Sequence, residues 1–521
     1  LHVEDLEQRG LRGHNRPHRN HHRSVPDGKM RKKFVEDLEI LRSAKKYDRD
    51  TGKFVINIAY KTRTLVTPRT VAVSEAFGLG VDEHREHVIY DNVELKIGPQ
   101  DIVYITGESG SGKSVLLREL AKDLREENVT DITRISVSSK LPLVDTLGRS
   151  FNEALELLCR VGLNDAFLFV RRYDQLSDGQ KYRYKLAKLI EDGAQYWVMD
   201  EFCSTLDRDT AKIVAFNVQK QARHTGRAVL AATCHGDLLE DLAPSVYIHK
   251  GLGKKIVVRY FPNEVNRVCS VTRGLHVEEG SLDDWRELEP WHYRQGRPPP
   301  AKKVFTLKRG VETVGVIVYS WPSVIGFGRW RAFGRHIPIG ELNRDFSLIS
   351  RVVLHPKYRS IGLGSWLVRE TLHRVGTPFV ETVAVMARYN PFFEKAGITK
   401  VAERVPDKTV IAAVEELREL GFNPVFLSSE KNNLKVLLKM SKMRVERVKA
   451  VLSRVGSGYY KRLVSGSKPY LRKSEFLRVL DKASLERLAH MLSVLSVLAQ
   501  VKVYFLWRWR GGGSMISPSQ S

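Results

Sequence analysis

An α/β fold in two parts, followed by a basic, mostly helical C-terminal region, is what the sequence predicts. Three observations carry that prediction. From about residue 71 to 260 short β-rich runs alternate with helical ones, the pattern of a mostly parallel sheet covered by helices. Two apolar strands, at 101–106 and 346–354, each run into a glycine-bearing turn and then a helix. From Lys431 to Arg510 the chain has 19 Lys and Arg against 4 Asp and Glu. That surplus of 15 is more than half of the net charge of +25. The 521 residues leave room for about three domains at ~100–200 residues each. With 42% hydrophobic and 28% charged residues the composition is globular, which excludes wholesale disorder, collagen and a polytopic membrane protein. The positive balance points to a polyanionic partner, nucleic acid ahead of an anionic membrane.

Taken in order, residues 1–33 are rich in His, Lys and Arg without apolar period and read as a disordered basic tail. Phe34–Ala44 reads as a helix and Phe54–Thr70 as strands, opening a first domain over 34–264. Residues 265–302, acidic and then rich in Pro and Gly, have linker composition. Residues 303–430 give strands, a Gly-bearing turn, a helix, then strand and helix again, and 431–510 form the basic helical region. Residues 511–521 read as a flexible tail. Ala489–Trp507 is interrupted by His490, Gln500 and Lys502, so it reads as a packed helix and a short strand instead of a membrane span. The four cysteines, Cys159, Cys203, Cys234 and Cys269, form no C-x-x-C pair. With no secretory signal visible, a cytoplasmic location is expected.

The first turn carries the more specific chemistry. Gly107-Glu108-Ser109-Gly110-Ser111-Gly112-Lys113-Ser114 fits G-x-x-x-x-G-K-[ST] between a strand and a helix. Its glycines let backbone N–H groups form an anion nest at a helix N-terminus. Lys113 is placed to reach the terminal phosphates, and Ser114 to ligate Mg²⁺. The strand Ala194–Met199 ends in Asp200, a second Mg²⁺ contact, and Glu201, placed to polarise an attacking water.

Three further pieces fix a resemblance. Leu176-Ser177-Asp178-Gly179-Gln180 precedes a basic helix, Ser204-Thr205-Leu206-Asp207 follows Glu201, and the strand Ala228–Thr233 ends in Cys234-His235. In this order the chain over about 71–250 resembles the ABC ATPases. The resemblance implies that Leu176–Gln180 is a signature loop whose Ser177, Gly179 and Gln180 face ATP held by a second copy. It also makes Ser204–Asp207 a D-loop, His235 the γ-phosphate contact and Phe77 an adenine-stacking ring. ATP would act as glue between two copies. Where transporter members carry a Gln, Ser138–Asp145 has none, which speaks against transport.

The second turn, Arg359-Ser360-Ile361-Gly362-Leu363-Gly364, follows the strand that ends Val352-Val353-Leu354-His355-Pro356. Asn390-Pro391-Phe392-Phe393 lies downstream of another strand, Val380–Met386. Over about 303–405 this resembles the GNAT N-acetyltransferases, whose sheet is splayed open to hold acetyl-CoA. The resemblance implies that Arg359–Gly364 cradle the CoA pyrophosphate, that Val352 and Val353 pair with pantetheine, and that Asn390 contacts the CoA arm. Phe393 stands where many members have a tyrosine acid, so Tyr389 is the candidate acid. The candidate base is Glu381, Glu341 or a water chain.

The order of the two domains resembles an archaeal and phage-borne group in which an ABC-type ATPase is fused to an acetyltransferase domain. The function expected is an ATP-hydrolysing, dimeric acetyltransferase using ATP, Mg²⁺ and acetyl-CoA on nucleic acid or a nucleoprotein. In the basic region Tyr459, Tyr460, Tyr470, Phe476, Tyr504 and Trp507 are candidates for stacking on bases. The alternatives are an ATP-gated nucleic-acid clamp with a vestigial second domain and, third, a transporter ATPase subunit.

Overall fold

The structure, a computed structural model, describes residues 38–41, 46–48, 50–62, 66–79, 86–124, 128–138, 140–292, 298–324, 326–385, 390–465 and 472–509. Both expected tails, Tyr389 and Tyr470 lie outside the described residues, as does the side chain of Tyr459.

The chain divides into two units, residues 1–46 with 55–93, and residues 47–54 with 94–521. The first holds most of a small sheet whose strands are β1 (Leu38–Leu41), β2 (Lys46–Asp48), β3 (Lys53–Thr62) and β4 (Glu86–Lys96). Ile56 and Ile58 are buried and Val55 and Asn57 are only half-buried, the two-residue period of a strand with one covered face. β1 runs antiparallel to β3, from Leu38 opposite Thr62 to Leu41 opposite Ala59. The helix expected over 34–44 is therefore corrected: its described part is a strand, because a short apolar run gains backbone partners on β3 that outweigh weak helical propensity. Helix α1 (Pro68–Phe77) starts at a Thr67 capping box and a proline, and so ends the expected run of strands before Thr70.

In the second unit a six-stranded sheet has the order β10-β9-β5-β8-β7-β6, with β5 (Ile102–Gly107), β6 (Val129–Asp131), β7 (Tyr196–Met199), β8 (Ala228–Ala232), β9 (Val246–Lys250) and β10 (Ile256–Tyr260). Every pair is parallel except β9–β10. β5, β7 and β8 are buried along their whole length, as strands covered on both faces must be. The helices are α2 (Lys113–Asp123), α3 (Phe151–Arg160), α4 (Ala166–Phe169), α5 (Asp178–Asp192), α6 (Arg208–Thr225) and α7 (Leu239–Leu242). Because β5, β7 and β8 are adjacent and parallel, the turns after them open at one end of the sheet.

A seven-stranded sheet follows, with the order β11-β12-β13-β14-β15-β17-β16. Its strands are β11 (Leu275–Glu279), β12 (Ala301–Arg309), β13 (Glu312–Ser320), β14 (Phe346–Leu354), β15 (Phe379–Ala384), β16 (Thr399–Arg404) and β17 (Lys502–Arg508). Its helices are α8 (Leu282–Leu288), α9 (Arg329–Phe333), α10 (Ile339–Asp345), α11 (Leu363–Leu372) and α12 (Phe392–Lys395). β14 and β15 are parallel and pair only through Phe346–Phe379, Ser347–Val380 and Leu348–Glu381. The Thr382 hydroxyl donates to the Ile349 carbonyl (3.0 Å) at that vertex. Beyond it no pairing joins the two strands among the described residues, and β14 stays on β13 while β15 stays on β17.

Three expected boundaries are corrected. Residues 265–302 are not a linker: β11 pairs with β12 over five residue pairs, and Trp285 and Leu288 of α8 are buried against β12 and β13. The basic helices are not a terminal extension. Helices α13 (Lys408–Glu419), α14 (Glu430–Leu437), α15 (Lys442–Ser453), α16 (Gly458–Ser465), α17 (Lys473–Asp481) and α18 (Leu485–Leu498) form their own core. They sit between β16 and β17, which pair from Arg404–Lys502 onward. α18 and β17 bear out the expected helix and short strand, and no described helix is long and apolar enough to cross a membrane. The second domain does not stop at 430, because β17 fills the place between β15 and β16 in its sheet.

Candidate functional site

The turn after β5 is built around backbone space. Gly107 has φ +140°, and a Cβ there would lie 1.9 Å from the Lys250 carbonyl oxygen on β9. Gly110 (φ +76°) and Gly112 (φ +101°) also need the left-handed region. Gly112 is the N-cap of α2 and supplies no side-chain cap, unlike Ser150, Ser177 and Asp207, whose side chains cap α3, α5 and α6. The Lys113 ammonium donates to the carbonyls of Gly107 (3.0 Å) and Glu108 (2.7 Å), curling over the turn. Ser111 Oγ is buried and has no hydrogen-bond partner among the described residues, and Ser109 is exposed.

The Ser114 hydroxyl donates to Asp200 Oδ1 (2.9 Å), so the two predicted Mg²⁺ ligands meet at the ends of β5 and β7. A hydroxyl and a carboxylate oxygen are the hard donors that Mg²⁺ takes alongside phosphate oxygens. Glu201 follows, exposed and left-handed (φ +53°), and buried Cys203 is left-handed too (φ +58°). Phe202 between them is fully buried and donates its N–H to the Ala232 carbonyl (2.8 Å). That anchor holds the Glu201 backbone in a costly conformation beside the nest. His235, after β8, is half-buried, and its carbonyl accepts from the Tyr104 hydroxyl. Lys113, Ser114, Asp200, Glu201 and His235 thus come from the turns after three adjacent parallel strands.

Ser177 caps α5, and the Gln180 side chain returns to the Ser177 N–H (3.1 Å). Gln180 therefore serves the cap. A Cβ on Gly179 would meet Leu206 at 3.0 Å, so the signature turn lies against the chain's own Ser204–Asp207 turn. Among the described residues no hydrogen bond joins Ser177 or Gly179 to the 107–114 turn. Phe77, at the end of α1, is exposed within the first unit.

The second turn repeats the first device. Gly362 (φ +87°) is the N-cap of α11 and provides no side-chain cap, and Ser360 is left-handed as well (φ +73°). Leu363 and half-buried Ile361 pack into the core below, while Ser360 and Gly362 are exposed. Gly364 meets only ordinary contacts. Val352 and Val353 pair with Ile317 and Val316 of β13 on one edge and border the split on the other. β14 is irregular opposite Val318 and Tyr319, where Ser350 has no partner in the register. Asn390 is exposed beside α12. His355 accepts the Lys357 N–H at Nδ1, and burial holds its pKa below the usual histidine range.

Three expectations change. The Arg359 guanidinium is occupied by the carbonyls of Leu354 (2.9 Å), Asn164 (3.3 Å) and Trp291 (2.9 Å), so in this conformation its donors are spent on main chain. Glu381 is buried and receives Arg329 Nε (2.8 Å), Arg329 NH2 (2.5 Å) and the Tyr504 hydroxyl (2.7 Å). A carboxylate so saturated is no free base, and Glu341 is likewise paired with Arg335. Tyr460, Phe476 and Tyr504 are fully buried and Trp507 packs on the core, so the stacking role expected of them is withdrawn. The contacts of Arg359 with Asn164 and Trp291, and of Glu381 with Arg329 and Tyr504, have no local sequence signal, because they join residues 52 to 195 positions apart.

Comparison with known proteins gives residues 90–204 as a match to the ABC transporter family. The cytochrome c biogenesis ATP-binding export protein CcmA of Aliivibrio fischeri is 26% identical over 189 residues, 30% of this chain and 89% of the relative. The methionine import ATP-binding protein MetN of Xanthomonas axonopodis pv. citri is 25% identical over 240 residues, 38% of this chain and 71% of the relative. The ribosome protection protein VmlR of Bacillus subtilis is 27% identical over 150 residues, 29% of this chain and 26% of the relative. Among solved structures, a dimeric ATP-binding cassette, MJ0796 with ADP and phosphate, is 18% identical with a TM-score of 0.29, covering 34% of this chain and 94% of its own. The chain therefore contains an ABC-type ATPase domain with an α/β P-loop fold, which binds and hydrolyses ATP.

Proposed function

We propose that the ATPase domain works with a GNAT-type acetyltransferase module, on an amine carried by nucleic acid or a nucleoprotein. The observation that carries the second half is the split between β14 and β15, which opens beside the Gly362 N-cap. A parallel pair that separates after three residues leaves the end of β14 without a second strand partner among the described residues, and buried or half-buried backbone seeks partners. An extended amide-bearing arm such as pantetheine supplies them, and a pyrophosphate suits the uncapped turn of α11.

In the first site Lys113 and the 107–114 turn bind the phosphates, Ser114 and Asp200 hold Mg²⁺, Glu201 orients water, and His235 contacts the terminal phosphate. Mg²⁺, when bound, neutralises charge developing on the phosphate oxygens. Ser177 and Gly179 serve nucleotide held by a second copy, and two copies close on ATP. In the second site the neutral amine attacks the thioester carbonyl carbon. The C–N bond forms, the C–S bond breaks, the thiolate leaves and takes a proton, and the amine loses one.

The helices between β16 and β17 support a polyanionic partner. Lys431, Lys435, Lys439, Lys442 and Arg447 are exposed, and none has a carboxylate partner among the described residues. The insertion leaves the sheet at Arg404 and returns at Lys502, next to Val503, which pairs with Ala384 at the open end of the split. The test is to incubate the protein with ATP, labelled acetyl-CoA and total cellular RNA, DNA and protein. Label in a nucleic-acid or nucleoprotein pool supports the reading. The occupied Arg359 favours a second reading, an ATP-gated clamp with a vestigial acetyltransferase module. ATP hydrolysis stimulated by nucleic acid, with neither binding nor turnover of acetyl-CoA, would select it.

A further inference from the structure

Helix α6 belongs to the ATPase sheet at one end and to the second module along its side. Its first two residues face different partners. Arg208 grips Asp237 with Nε (2.9 Å to Oδ2) and NH2, two residues beyond His235. Asp209 receives Lys357 Nζ (2.7 Å) and Arg309 NH1 (3.0 Å), both from the second module. Lys357 lies two residues before Arg359, in the loop that leads to Gly362. Further along α6 the Asn217 amide donates to Ser360 Oγ (2.9 Å), and Ile213 and Phe216 sit in the second module's core. Arg359 reaches across to the Asn164 carbonyl, beside the α4 cap.

We infer that Asp209 is a positioning residue through which nucleotide at the first site sets the affinity of the 355–364 loop for acyl-CoA. This rests on the reading of that loop as a pyrophosphate cradle. A packed helix moves as a body, and α6 is capped by Asp207, the last residue of the turn that follows Glu201. A displacement at Glu201 or His235 on nucleotide binding shifts the first turn of α6. The loop fastened to that turn at Lys357 and to the helix at Ser360 shifts with it. In the orientation seen here the Arg359 guanidinium is held by main chain. Its release from Asn164 would turn it toward an anion at Gly362. Coupling of this kind is reciprocal, so CoA must change nucleotide affinity by the factor by which nucleotide changes CoA affinity.

The test uses the full chain, CoA and a non-hydrolysable ATP analogue with Mg²⁺. Calorimetry measures each ligand with and without the other, and hydrogen exchange follows residues 355–364. Wild type is expected to show at least a roughly fivefold shift in CoA affinity, mirrored in the analogue. Asp209→Asn and Arg309→Ala are expected to reduce the shift below about twofold while each ligand alone still binds, and Asp209→Glu to keep it. Equal CoA affinity with and without the analogue in wild type, or a shift that survives Asp209→Asn, overturns the proposal. If CoA binds in neither state, the acyl-CoA reading fails. Exchange at 355–364 then decides the coupling: a nucleotide effect lost in Asp209→Asn upholds it, and identical exchange overturns it.

Discussion

Arg329 and Glu381 form a two-pronged buried pair, Nε to Oε2 at 2.8 Å and NH2 to Oε1 at 2.5 Å, with both side chains under one-tenth exposed. The pair fastens α9 to β15 on the side of the sheet away from the Val380 core. The Tyr504 hydroxyl completes the carboxylate's shell, and burial followed by the nearby carboxylate pushes that phenol's pKa far up, so it stays a donor.

Removing one partner of such a pair strands a buried charge. Glu381→Ala is therefore expected to cost about 3–5 kcal/mol of stability, read from urea unfolding. Glu381→Gln leaves the pH profile of the proposed acetyl transfer unmoved. Loss of a titrating limb from that profile would return Glu381 to the role of base.

Lys113→Ala should lose ATP binding and leave CoA binding intact, since among the described residues the Lys113 ammonium donates to carbonyls of its own turn. Gly107→Ala is expected to fail more broadly, because its Cβ would overlap the Lys250 carbonyl of the neighbouring strand. Calorimetry on the first variant and thermal unfolding on the second check these outcomes.

Acid should loosen the junction at Asp209. Burial raises this carboxyl's pKa, but the hydrogen bonds and charges of Lys357 and Arg309 outweigh it, and the folded value lies below the ordinary one. A depressed carboxylate stabilises fully above the unfolded value near ~4, and that contribution is lost as pH falls through the lower folded value. The difference in urea midpoint between wild type and Asp209→Asn should be flat from about pH 5 to 8 and shrink below about pH 4.

Charge reversal at Lys431, Lys435 and Lys439 should weaken nucleic-acid binding without sequence preference. The salt dependence of log affinity should fall by about one unit of slope for each phosphate contact removed. Fluorescence anisotropy over a salt series reads both effects. An unchanged slope would place the nucleic acid elsewhere.

The 107–114 turn, Asp200-Glu201, Leu176–Gln180 and His235 were legible because each is a short run whose chemistry depends on local spacing. The structure brings the first two and His235 to one end of the sheet through parallel pairing of β5, β7 and β8. The strand at 38–41 and the sheet membership of 275–279 were misread. Their state depends on a partner strand elsewhere, which no local pattern reports.

The sequence alone determined that a glycine-bearing turn at 107 and another at 362 each open a helix, because positive φ and an uncapped N-terminus are properties of a few adjacent residues. Only the tertiary structure decided that Glu381 is tied to Arg329, that the basic helices interrupt a hairpin, and that Asp209 reaches Lys357. Ion pairs and strand order join residues up to 148 positions apart, and their energy depends on a distance that chain spacing does not encode.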